Sequence, residues 1–100
     1  MNIITTGVAG TMESSDIIVT VEPKAGEGID LTLESDVMQQ FGKQIEKVIR
    51  DTLAELGVNS ACVSAVDKGA LDCTVAARTM AAAYRAAEST DYVFNEVKKK

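Results

Sequence analysis

Apolar residues alternate with polar ones early in the chain and recur at helical spacing later. Ile17, Val19 and Val21 fall on one face at period two, with Thr20 and Glu22 on the other, which predicts a strand. Ile18 interrupts the polar side, so this strand is expected to be partly covered on both faces. Pro23 ends it, because proline has no N–H to give to a ladder. Lys24 to Gly28 reads as a loop, with two glycines for tight geometry. Ile29-Asp30-Leu31-Thr32-Leu33-Glu34 alternates strictly and predicts a half-buried strand. Upstream, Val8 to Met12 predicts a short strand, with Glu13-Ser14-Ser15-Asp16 as the hairpin turn that follows it.

The period then changes. Val37, Met38, Phe41, Ile45, Val48, Ile49, Thr52, Leu53 and Leu56 recur at three- and four-residue steps, which predicts an amphipathic helix over 36–56. Ser35 suits its N-cap, Asp36 the positive end of its dipole and Gly57 its C-terminal cap. Gly42, inside the helix, costs about 1 kcal/mol relative to alanine, and close packing on a sheet would account for it. Ala61 to Val66 predicts a buried strand of small residues, broken by Asp67-Lys68-Gly69. Leu71, Val75, Met80 and Tyr84 lie in a second, alanine-rich helix over 70–87, whose short side chains let it approach the sheet. The segment 89–100 has weak periodicity and ends in lysines, so it is expected to be frayed. The order strand-strand-strand-helix-strand-helix predicts an α+β fold. It forms a single domain, 1–100, with an ordered core over about 8–88. A mainly antiparallel or mixed sheet of three to four strands carries both helices on one face.

Composition narrows the function classes. With 100 residues, 46% hydrophobic and 25% charged, the chain has material for one core and is not a disordered segment. Its net charge of −5 lacks the cation surplus that phosphate backbones require, so no nucleic-acid partner is expected. Aromatics at 4% offer no platform for stacking bases. Histidine is absent, which excludes a Ser-His-Asp or Cys-His nucleophile system within the chain and removes the commonest zinc ligand. Cys62 and Cys73 lack CxxC spacing and read as core-type free thiols, with a reducing cytoplasm as the expected compartment. No apolar stretch approaches a membrane span and the first residues lack a signal pattern, so no membrane partner is expected.

Two places carry candidate chemistry. Ser14 lies in an acidic turn between Glu13 and Ser15-Asp16. Structurally it is a turn serine that bonds its own backbone. Functionally it can accept a group from another enzyme that supplies the base, since nearby carboxylates are weak bases at neutral pH. Asp67, Lys68, Asp72 and Arg78 form a second charged cluster. As structure it is a helix entry in which Asp67 caps, Gly69 permits the turn and Asp72 complements the dipole. As function, Asp67, Lys68 and Arg78 form a docking surface for partner subunits. The residues alone leave open a carrier, a small α+β interaction or regulatory module with no covalent cofactor, and an enzyme built on carboxylates.

The segments Val8-Ala9-Gly10-Thr11-Met12-Glu13-Ser14 and Asp67-Lys68-Gly69-Ala70-Leu71-Asp72-Cys73, in this order and at this chain length, resemble the acyl carrier (gamma) subunit of bacterial citrate lyase. The likeness covers about Val8 to Arg85. It implies that Ser14 bears phosphoribosyl dephospho-coenzyme A through a phosphodiester, attached by a prosthetic-group transferase. It further implies an acetyl thioester on that arm. The citrate lyase alpha subunit exchanges this for citryl, and the beta subunit cleaves the product to oxaloacetate and acetyl carrier. The chain would then be a non-catalytic subunit of a cytoplasmic complex. It does not resemble the four-helix carriers of fatty-acid synthesis, whose Asp-Ser-Leu motif at a helix start it lacks. Ser15 adds a second hydroxyl beside the implied acceptor, and Glu13 and Asp16 are expected to repel the arm's phosphates.

Overall fold

The computed structural model describes residues 1–35 and 38–88, with the backbone alone for 38–41. The alternating and helical patterns become β1 (Gly7–Ala9), β2 (Ile17–Glu22), β3 (Gly28–Ser35), α1 (Met38–Glu55), β4 (Ser60–Asp67) and α2 (Asp72–Ala86). The helix start expected at Asp36 and Val37, the side chains of Met38 and Phe41, and the expected frayed tail 89–100 lie outside the described residues.

The strands form one sheet in the order β1-β2-β4-β3. β2 runs antiparallel to both β1 and β4, while β3 and β4 are parallel and joined through α1. The sheet is therefore mixed, and α1 supplies the long crossover that the parallel pair needs. Register puts Ala9, Ile17, Val19, Val21, Val63 and Ala65 on one face, where all are buried. Ile29, Leu31 and Leu33 of β3 extend that face and are half-buried, as expected at an edge strand. Both helices cover this face, α2 over β1 and β2 and α1 beside it over β3. The opposite face carries Ile18, Thr20, Cys62, Ser64, Val66 and Thr32, none of them fully buried.

α1 buries Ile45, Ile49, Thr52 and Leu53, the predicted stripe. Each large apolar side chain buried here contributes roughly 1.5–3 kcal/mol. Thr52 satisfies its hydroxyl by donating to the Val48 carbonyl at 2.8 Å. α2 differs from its predicted stripe. Leu71 and Met80 are exposed, and the packed residues are Val75, Thr79, Ala82, Ala83 and Ala86. The cause is close approach: a Cβ built on Gly7 of β1 would lie 2.2 Å from the Ala82 carbonyl oxygen. Only a glycine facing alanines lets helix and strand meet at that distance.

The thiols also differ from expectation. Cys62 lies on the open face of β4 and is half-buried, because period-two alternation gives the interior to Ala61 and Val63. Cys73 is exposed in the first turn of α2. Both are free, and neither belongs to the core.

Candidate functional site

The segment between β1 and β2, residues 10–16, carries Ser14. β1 stops at Ala9 rather than running to Met12, because Gly10 turns the chain with a φ of 103°. A Cβ at Gly10 would lie 1.8 Å from the Ile17 carbonyl oxygen, so no other residue fits without moving the loop. The expected turn at 13–16 is present, with the Asp16 amide donating to the Glu13 carbonyl at 3.2 Å. Ser14 is its second residue and Ser15 its third, with a φ of 67° at Ser15. A positive φ at the third position alone is the sign pattern of a type II turn, where glycine usually sits.

Asp16 organises this loop. Its carboxylate accepts from Arg78 Nε at 3.0 Å and Arg78 Nη2 at 2.9 Å, from Thr11 Oγ1 at 2.7 Å and from the Ile17 amide at 2.7 Å. Thr11 Oγ1 in turn accepts from the Glu13 amide at 3.2 Å. The Arg78 fork, with help from Thr11 and the Ile17 amide, holds the Asp16 carboxyl well below the usual carboxylate range. The same pair raises the Arg78 pKa, so both groups stay charged at neutral pH. Among the described residues no hydrogen bond engages the Ser14 hydroxyl. The structural work expected of a turn serine is done by Thr11 and Asp16 instead, and Ser14 stands exposed.

The second charged cluster lies beside the loop. The Ser15 amide donates to the Lys68 carbonyl at 2.7 Å, and the Lys68 amide donates to the Asp16 carbonyl at 2.8 Å. These two bonds extend the β2–β4 ladder past its last pair, Ile17 with Asp67. Asp67 is fully buried, not an exposed docking residue. Its carboxylate accepts from Ser35 Oγ at 2.9 Å, the Gly69 amide at 3.1 Å and the Ala70 amide at 3.0 Å. It therefore caps the 67–70 turn. It does not cap α2, which starts at Asp72 after Leu71, whose side chain makes no cap bond. Lys68 is half-buried and Arg78 is bound to Asp16, so neither is the freely exposed charge that the cluster suggests. Asp72 does lie in the first turn of α2, where its carboxylate suits the dipole and accepts from Gln44 Nε2 at 2.8 Å.

Two exposed apolar side chains lie near this assembly, Met12 in the loop at 55% and Leu71 after the turn at 71%. The structure thus brings Ser14, Asp16, Lys68 and Arg78 to one end of the sheet and places Asp67 beneath them. Repulsion of an anionic arm by Asp16 is not expected, because Arg78 neutralises it; Glu13 remains exposed. The sequence alone does not single out Thr11, Gly10 or the Asp16–Arg78 pair as functional. Gly10 is legible in principle as a glycine at a strand end. The pair spans sixty-two positions and leaves no local signal.

No helix among the described residues is long and apolar enough to cross a membrane. Residues 4–86 match the family model of acyl carriers described as malonate decarboxylase delta subunit (MdcD). The citrate lyase acyl carrier protein of Streptococcus mutans serotype c is 57% identical over 97% of this chain and 95% of its own length. That of Fusobacterium nucleatum subsp. nucleatum is 57% identical over 90% of this chain and 96% of its own. Citrate lyase acyl carrier protein 2 of Salmonella paratyphi A is 56% identical over 91% of this chain and 94% of its own. A match over most of the described fold, and relatives more than half identical along nearly the whole chain, make this protein a member of the citrate lyase acyl carrier protein family.

Proposed function

We propose that the chain is the non-catalytic acyl carrier subunit of a cytoplasmic citrate lyase complex, with Ser14 Oγ as the covalent attachment point of its prosthetic group. One observation carries this reading. In a loop where Thr11 and Asp16 perform the structural bonding, Ser14 is exposed and engaged by no hydrogen bond among the described residues. That leaves its hydroxyl for chemistry. The site fits a phosphodiester-linked arm such as phosphoribosyl dephospho-coenzyme A. The acceptor lies exposed at a turn, so the arm can extend into solvent. When bound, the group supplies a thiol at the end of a long flexible chain.

The chain's own residues hold and present. Asp16 is committed to Arg78, and histidine is absent, so the base that takes the Ser14 proton belongs to the transferase. A tethered acyl group meets the alpha and beta subunits at high effective concentration if the arm spans their sites.

The test is intact mass and peptide mapping of protein purified from its native host. The expected result is one phosphodiester adduct on Ser14, lost in Ser14→Ala together with citrate cleavage. An adduct that persists in Ser14→Ala, or an active complex with unmodified chain, overturns the proposal.

A further inference from the structure

We infer that Asp16 and Arg78 are a positioning pair for Ser14. They hold loop 10–16 in the one shape that the modifying transferase binds, so that enzyme reads a folded surface and not a linear peptide. The inference rests on the reading of Ser14 as the acceptor, and it adds a requirement from a helix distant in sequence.

Several observations converge. Arg78 grips Asp16 through both carboxylate oxygens. Asp16 also holds Thr11, at the other end of the turn, and Thr11 holds the Glu13 amide. Residues on both sides of Ser14 are therefore tied to one carboxylate, which is only 13% exposed and is anchored to α2. The Ser15 φ of 67° is disfavoured for a residue with a Cβ, so the turn needs support from its surroundings. That support comes from Arg78 on one side and the Lys68 carbonyl on the other. The 67–70 turn is itself fixed by the buried Asp67. Ser14 is thus free at its hydroxyl while its neighbours are held.

A loop released from this frame populates other shapes. If the binding-competent shape falls to a tenth of the population, the apparent affinity for the transferase falls about tenfold, even though the bound surfaces are the same. A lysine in place of Arg78 keeps the charge but not the planar fork, so it restores only part of the effect.

The test uses unmodified carrier, the prosthetic-group transferase of the same host and its activated phosphoribosyl dephospho-coenzyme A donor. Adduct formation is followed by intact mass at several carrier concentrations, with hydrogen–deuterium exchange of the loop measured in parallel. For Arg78→Met we expect a KM for the carrier raised about tenfold and a kcat within about twofold of the parent. Arg78→Lys falls between, amides 13–16 exchange faster in Arg78→Met, and the adduct still maps to Ser14. Parent-like KM and kcat in Arg78→Met overturn the inference, as does slowed attachment without faster exchange in the loop. If Arg78→Met does not fold, Asp16→Asn serves with the same expectations. Ser14→Ala separates the two claims. An adduct on that variant overturns the acceptor assignment whatever Arg78 does. Its absence, beside unchanged Arg78→Met kinetics, overturns the positioning pair alone.

Discussion

Arg78 meets Asp16 as a two-point fork, Nε to Oδ1 at 3.0 Å and Nη2 to Oδ2 at 2.9 Å, joining the middle of α2 to the base of the Ser14 turn. The arrangement has a definite pH signature. Asp16 has a folded pKa below its unfolded value, so its contribution to stability is present above about pH 4 and is lost as pH falls below that. Asp16→Asn should therefore melt lower than the parent at neutral pH, with the gap closing toward acid. Melting temperatures from pH 7 to pH 2 check this. Coincident curves for parent and variant would show that the pair contributes nothing to folding.

Asp67 should matter more to stability than any exposed charge. Asp67→Ala leaves the Gly69 and Ala70 amides without their acceptor beneath the loop, which costs about 2–3 kcal/mol. Asp67→Asn keeps one acceptor oxygen and should lose less. Denaturant unfolding of both variants gives the order, and equal losses would show that the negative charge on the acceptor, not its capping oxygen alone, sets the cost.

Ser15 holds a backbone conformation better suited to glycine. Ser15→Gly should be neutral to stabilising by up to about 1 kcal/mol, whereas Ser15→Val should lose a similar amount. The adduct should remain on Ser14 in Ser15→Gly by peptide mapping. Loss of the adduct would move the acceptor assignment to Ser15.

Gly10 has no comparable tolerance. Gly10→Ala places a methyl group against the Ile17 carbonyl and adds an unfavourable positive φ, so the loop must move. A loss of about 2 kcal/mol or more is expected, with slowed attachment at Ser14. A parent-like melting temperature would show that the loop relocates at little cost.

Leu71 occupies the N-cap position of α2 without a cap bond and is largely exposed. Leu71→Ser supplies a hydroxyl to the first-turn amides and should stabilise by up to about 1 kcal/mol. Thermal melts test the gain, and a lower melting temperature would show that the leucine packs more than its exposure suggests.

The element order and nearly all the boundaries are legible in the sequence, because each element is amphipathic at its own period. Ile17-Val19-Val21 and Ile45-Ile49-Leu53 bury the residues their spacing selects. The second helix is harder to read, since its packing depends on Gly7 across the fold and not on its own largest side chains. The site is half legible. Ser14 and the 67–70 turn stand out, but their relation does not. Asp67 reads as a surface acid beside Lys68-Gly69, and only the strand register reveals that it points inward beside Ser35. Asp16 and Arg78 read as unrelated charges, because an ion pair across a fold leaves no pattern in either neighbourhood.

The central place of β4 has a consequence for timing. Among the described residues β4 is the strand made latest, yet β2 and β3 both pair with it. A nascent chain on the ribosome cannot complete the sheet until Asp67 has emerged, and cannot close the grip on Asp16 until Arg78 has followed. Ser14 precedes Asp67 and Arg78 in the chain, so it is translated before the residues that shape its loop. An enzyme that selects the finished loop would load only carriers that have completed folding, so the covalent mark would double as a record of successful maturation.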